Sequence, residues 1–150
     1  MSRALHDRVA RLGPVLVISP HFDDAIFSCG ALLAAHHGSR TVTVFGGAPE
    51  TPVSTTWDQE AGFADSNQAV AARRLEDAQA HAQVSATVHH LGFCDSQYGQ
   101  TPTVAELERA LYRLVERRTA DAVFVPLGLF HSDHVLVHEA ALMLLRKLPQ

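Results

Sequence analysis

Residues 15–25 read VLVISPHFDDA. The first five form an unbroken apolar, β-prone run, the pattern of a strand buried on both faces. Residues 24–37 then read as a helix, with Gly38 as its C-cap. Between them stands a turn holding one imidazole, His21, and two adjacent carboxylates, Asp23 and Asp24. Like charges side by side repel, and both lose hydration in an enclosed site. A cation, a helix N-terminus or solvent has to compensate.

The same alternation continues along the chain. Residues 3–12 read as a short amphipathic helix ended by Gly13-Pro14, and 41–47, 87–93 and 121–127 as three more strands. Helices are predicted over 67–83, with Asn67 or Ser66 as N-cap, over 104–118 and over 134–148. Residues 48–66 are rich in Pro, Thr and Asp and aperiodic, so they read as a long loop, with Trp57 on a lid or a disordered segment. Residues 94–102 read as a second loop. Strands alternating with helices imply a single α/β domain over residues 1–150, three-layer and Rossmann-like, its mostly parallel sheet flanked by helices. In such sheets ligands bind beyond the carboxyl ends of the strands. SPHFDD, FGGAPE, GFCDSQY and PLGLFHSDH all follow strands, so every polar cluster of interest converges on one edge.

Bulk properties narrow the chemistry. The chain has 150 residues, 47% hydrophobic and 19% charged, enough apolar content for a core. A net charge of −4 without a Lys/Arg block argues against nucleic acid or an anionic membrane as partner. No apolar run is long enough to span a bilayer, and the first residues hold no export-type apolar core. Cys29 and Cys94 form no CxxC, so two free thiols in a reducing cytoplasm are expected. No G-x-G-x-x-G and no G-x-x-x-x-G-K-[ST] marks a nucleotide site. Ten histidines raise the prospect of metal chemistry.

His21 and Asp24 lie three apart at a strand-to-helix turn, a spacing that can aim both at one point. HSDH (131–134) sits at another such turn and adds His131, Asp133 and His134. Two histidines, one carboxylate and an open position suit Zn²⁺, and also accept Fe²⁺ or Co²⁺. Asp23, whose side chain diverges from that of Asp24, can serve as a general base. His131 can donate a proton to a leaving amine or steady an oxyanion, with Asp133 holding its imidazole. His138, one turn past His134, is a rival ligand. The remaining histidines at 36, 37, 81, 89 and 90 are expected to face solvent or line strand ends, and Cys29 to pack as a small apolar residue. The bland alternative for Asp23 and Asp24 is helix N-capping.

These residues resemble the signatures of the zinc-dependent deacetylases of the PIG-L/LmbE superfamily. Ser19-Pro20-His21-Phe22-Asp23-Asp24-Ala25 stands where the family carries P-H-x-D-D, and His131-Ser132-Asp133-His134 where it carries H-x-D-H. Arg73/Arg74 with Glu76, and Leu91-Gly92-Phe93-Cys94-Asp95, stand where it carries R-x-x-E and L-G-x-x-D. The resemblance implies an LmbE-like fold and one zinc per chain, bound by His21, Asp24 and His134. It implies Asp23 as general base, His131 as general acid or oxyanion partner and Asp133 as its tuning carboxylate. Arg73, Arg74 and Asp95 become substrate contacts. The implied reaction removes an N-acetyl or N-acyl group from an amino sugar in a small-molecule glycoconjugate. Ala25 and Phe22 replace the Glu and Pro of many members, which is similar to the branch acting on glycosylated natural products such as glycopeptide antibiotics. Members usually continue well past the HSDH helix, in a portion that helps wall the cleft. The competing expectation is a metal-binding α/β module of the same fold without turnover. Apolar helix faces near residue 150 point to self-association.

Overall fold

The computed structural model describes residues 7–115 and 120–147. Strand β1 (Val15–Ser19) is buried along its whole length, as its uninterrupted apolar run requires. It is followed by α1 (Asp24–Ala35), β2 (Arg40–Thr43), α2 (Thr56–Glu60), α3 (Ser66–Gln83), β3 (Thr87–His90), α4 (Val104–Val115), β4 (Ala122–Phe124) and α5 (Ser132–Lys147). All pairings are parallel, in the order β3-β2-β1-β4. The sheet grows one way from β1 to β2 and β3, and β4 then returns to the other side of β1. The turns after β1 and β4 therefore open at the point where the winding reverses, where such sheets form a crevice.

Alternation along β1 sorts the layers. Leu16 and Ile18 point to one face and pack with Leu107 and Leu111 of α4 and Val137, Ala140 and Leu144 of α5. Val15 and Val17 point to the other, against Ala25 and Leu33 of α1. Thr43 of β2 bonds Asp77 of α3 across the sheet, which puts α3 on the α1 side. The three-layer α/β architecture is the one the alternation predicts.

Several element boundaries differ from the sequence expectation. The 48–66 segment is not structureless: it contains α2, whose N-cap Thr55 accepts the Asp58 N–H at 3.1 Å. Asp65, rather than Asn67 or Ser66, caps α3, because Ser66 closes the loop on Val53 through bonds of 2.8 and 3.1 Å. β2 stops at Thr43. Beyond it Gly47 lies too close to the Gly92 backbone for a side chain, and only isolated bridges continue, Phe45 with Gly92 and Gly47 with Cys94. β4 is three residues long, since Pro126 has no N–H for a ladder. α5 starts at Ser132, two residues early, so Asp133 and His134 occupy its first turn. Of the predicted leading helix, residues 7–9 are helical and 3–6 lie outside the described residues, as do the ends expected at 116–118 and 148.

Two histidines expected at the surface are buried. His36 is anchored on the Leu12 carbonyl at 2.9 Å, and His81 lies inside α3 against Asp77. Cys29 is half-buried beside the α1 core cluster, and Cys94 is buried; both are free. Among the described residues no helix is long and apolar enough to cross a membrane. α5 leaves Leu142, Met143 and Leu145 partly exposed, but the most exposed apolar side chains, Phe27, Leu127 and Phe130, lie in α1 and after β4.

Candidate metal centre and its cavity

Two turns bring three donor atoms together. His21 follows β1, Asp24 begins α1 and His134 lies in the first turn of α5. His21 Nδ1 is 3.3 Å from His134 Nε2 and 3.6 Å from Asp24 Oδ2, and His134 Nε2 is 3.2 Å from Asp24 Oδ2. Donors about 2.0–2.1 Å from a tetrahedral zinc stand about 3.3 Å apart. The triangle His21–Asp24–His134 therefore fits a small divalent cation without rearrangement, and these atoms form a metal-competent cluster. His138, the rival, is occupied elsewhere: its Nδ1 bonds the Pro126 carbonyl at 2.8 Å.

The carboxylate of Asp133 sits differently from the expectation. It does not hold His131. Its Oδ2 takes the His21 Nε2 contact at 3.0 Å and the Ser96 N–H at 3.1 Å, because the early start of α5 turns the residue inward to nearly full burial. A carboxylate on the far nitrogen fixes the tautomer and ring plane of an imidazole ligand. Asp133 touches His131 only through its backbone N–H, which donates to His131 Nδ1 at 3.2 Å. That bond leaves Nε2 as the proton-bearing atom of the neutral His131 ring. His131 reaches the cavity with its ring centroid 4.9 Å from that of His21.

Electrostatics follow from this crowd of carboxylates. Burial alone would lower the His21 pKa, but Asp133, Asp24 and Asp95 outweigh it and raise it to about 9. The negative field that holds a proton there is the field a divalent cation needs. His134 moves the other way: burial holds its pKa below the usual value, although Asp24 opposes this. Burial would raise the Asp24 and Asp133 carboxyls, yet their contacts with His21 keep both below the usual range.

Asp23 occupies the N-cap position of α1 but its side chain makes no capping bond. Ser19 Oγ caps the helix instead, accepting the Ala25 N–H at 3.1 Å, while Asp24 Oδ2 accepts the His21 N–H of the preceding turn at 3.0 Å. The N-capping alternative thus does not describe Asp23. Its backbone is left-handed, φ 66°, and its carboxylate lines a cavity of about 600 Å³. Burial, with Asp77 and Glu76 nearby, raises its pKa.

Arg73, Asp95, Trp57 and Tyr98 also line this cavity. Arg73 contacts the buried Asp58 at 3.4 Å and lies over the Phe63 ring, 5.6 Å from its centroid. Asp95 stands 3.6 Å from His21 Nε2 and caps the short 3₁₀ turn Ser96–Tyr98 through the Gln97 N–H. Arg74 does not reach the cavity; its guanidinium donates to the Gly46 carbonyl at 2.5 Å and ties α3 to the sheet edge. Sequence reasoning missed Tyr98, which lines the cavity, and the buried Asp58, which accepts the Tyr98 hydroxyl at 3.1 Å. Burial and that bond push the Tyr98 hydroxyl above the phenol range, keeping it a donor. It also missed Asp77. The available signal was the spacing of Val70, Asp77 and His81, which share one buried face of α3.

The chain resembles known proteins in both sequence and fold. Over 162 aligned residues the chain is 29% identical to the 2'-N-acetylparomamine deacetylase of Streptomyces fradiae, covering 92% of this chain but 54% of that protein. It thus spans about half the length of that curated relative. Among solved structures, the A40926 pseudoaglycone deacetylase superposes with a TM-score of 0.75 at 28% identity, over 89% of this chain and 59% of that one. A triple mutant of a deacetylase of the teicoplanin pathway gives 0.77 at 30%, over 89% and 60%. The profile of the PIG-L family, GlcNAc-PI de-N-acetylase, matches residues 16–145, from within β1 through most of α5, and the chain belongs to that family.

Proposed function

We propose that this chain is a zinc-dependent N-deacetylase acting on an N-acetylated amino sugar within a larger glycoconjugate. One observation carries the reading: His21, Asp24 and His134 form a cation-sized triangle beside a free carboxylate, Asp23, at the wall of a roomy cavity. When bound, the cation supplies Lewis-acid polarisation of the amide carbonyl and brings a water pKa down to about 7. Asp23 takes a proton from the attacking water and returns it to the nitrogen as the C–N bond breaks, so acetate and the free amine leave. His131 presents Nε2–H to the developing oxyanion. The cavity combines the faces of Trp57 and Tyr98 with the polar groups of Arg73 and Asp95, a mixture suited to a sugar with its apolar ring face and hydroxyls. The relatives named above, a paromamine deacetylase and glycopeptide-pathway deacetylases, support an amino-sugar substrate. Two unbonded cysteines favour a cytoplasmic setting.

The test is metal content joined to amine release from N-acetylglucosaminyl glycosides. About one zinc per chain is expected, lost in His21→Ala/Asp24→Ala. Asp23→Ala should keep the metal and lower turnover by about 10²–10⁴-fold. Metal bound without any turnover would leave the module without catalysis as the better description, and unchanged metal content in the double variant would remove the proposed centre.

A further inference from the structure

We propose that Asp77, in the middle of α3, is a positioning residue for the base Asp23; this rests on the deacetylase reading above. Asp77 is fully buried, and every contact of its carboxylate is with a polar group from a different place in the fold. Oδ1 accepts the backbone N–H of Asp23 at 3.2 Å and lies 3.2 Å from His81 Nδ1. Oδ2 accepts the Thr43 hydroxyl at 3.1 Å and contacts His90 Nε2 at 2.8 Å. The His90 ring in turn sits edge-on to Phe22, with centroids 5.4 Å apart. One side chain therefore joins β2, β3 and α3 to the two residues that follow His21.

The residue it holds needs holding. Left-handed backbone in a non-glycine residue costs roughly 1 kcal/mol and persists only where the surroundings fix it. Asp23 has that backbone, and its side chain makes no capping bond that would fix it locally. The bond to Asp77 grips the Asp23 amide instead, which leaves the Asp23 carboxylate free to face the cavity. A general base has to stay within hydrogen-bond reach of the proton it removes, and a displacement of an ångström can reduce turnover a hundredfold. Asp77 does not line the cavity; its direct contact with the turn that carries the base is the Asp23 amide.

Asp77→Asn keeps the shape and one acceptor oxygen while weakening the four-way grip. With zinc-loaded full chain and an N-acetylglucosaminyl glycoside, it should lower kcat about 10- to 100-fold, with KM and zinc per chain within about twofold of wild type. In an Asp23→Asn background the same substitution should lower kcat no further, because the residue it positions is already disabled. A readout independent of turnover is the exchange rate of the Asp23 amide, expected to rise at least about tenfold in Asp77→Asn. Thr43→Val, which removes one donor to Asp77, should give a smaller change in the same direction and serves if Asp77→Asn does not fold. An unchanged kcat and amide exchange in both variants, or an Asp77→Asn loss that persists undiminished beside Asp23→Asn, would overturn the inference alone. Full activity in Asp23→Asn would overturn both it and the assignment of the base.

Discussion

On either side of the turn after β1, a buried aspartate grips a histidine, and the two pairs do different work. Asp133 meets the ring of His21, a proposed metal ligand, and takes its second bond from the Ser96 backbone. Asp77 meets His90 and His81, neither of them near the donor triangle, and takes a bond from the backbone of Asp23. The first network would orient the proposed ligand; the second would orient the chain that carries the proposed base. Adjacent carboxylates at positions 23 and 24 can thus serve opposite purposes, since each is held from its own flank.

The comparison breaks most visibly in stability. Asp77→Ala would leave Thr43 and His90 facing an empty, buried acceptor site, and His81 with only the residue-77 backbone carbonyl, 2.7 Å from its Nδ1. Removing one partner of a buried charged network costs about 3 kcal/mol or more. Urea unfolding should show that loss. A change under about 1 kcal/mol would mean that the network tolerates water and that Asp77 is less confined than its full burial implies.

The metal side gives the next effect. Asp133→Asn keeps a hydrogen-bond acceptor but removes the charge opposite His21 Nε2. Loss of a carboxylate behind a histidine ligand lowers metal affinity about 10- to 100-fold. Competition with a chromophoric chelator should show that drop for Asp133→Asn, and a change within about twofold for Asp77→Asn. Equal losses in both variants would merge the two networks into one.

The sequence made the first network readable and concealed most of the second. Asp133 stands inside HSDH, and the strand–helix alternation already brought that turn to the same edge as SPHFDD. Its exact partner was not legible: whether it faces His131 or His21 depends on where α5 begins, and the helix starts two residues earlier than its apolar period suggests. Asp77 lies in no motif. It reads as one more charge on a polar helix, and only the buried stripe shared with Val70 and His81 betrays it. His90 looked like a strand-end histidine because nothing local shows that α3 packs across β3. Likewise α2 was lost in a Pro- and Thr-rich stretch, since five residues are too few for a helical period to emerge. Arg73 and Arg74 are adjacent and chemically identical; helix rotation alone sends one to the cavity and the other to the Gly46 carbonyl.

The smallest effect concerns pH and separates the partners inside the Asp77 network. For Asp77, burial opposes ionisation but the His81 and His90 contacts win, so its folded pKa lies below 3.8. Its contribution to stability is present above 3.8 and fades as acid titrates the folded carboxylate. For His81, burial opposes the charge but the Asp77 contacts win, so its folded pKa lies above 6.5. Its contribution is full below 6.5 and fades as the pH rises through that raised value. The pair is therefore strongest between the two limits. Thermal unfolding of wild type and His81→Gln across that range should show a gap that is widest below pH 6.5 and narrows on the alkaline side. Because the gap is a difference at each pH, titration of His21 on the other flank cancels from it. A gap that widens with rising pH would mean that His81 is neutral in the folded chain, and that Asp77 is held by its hydrogen bonds to Thr43, His90 and the Asp23 amide alone.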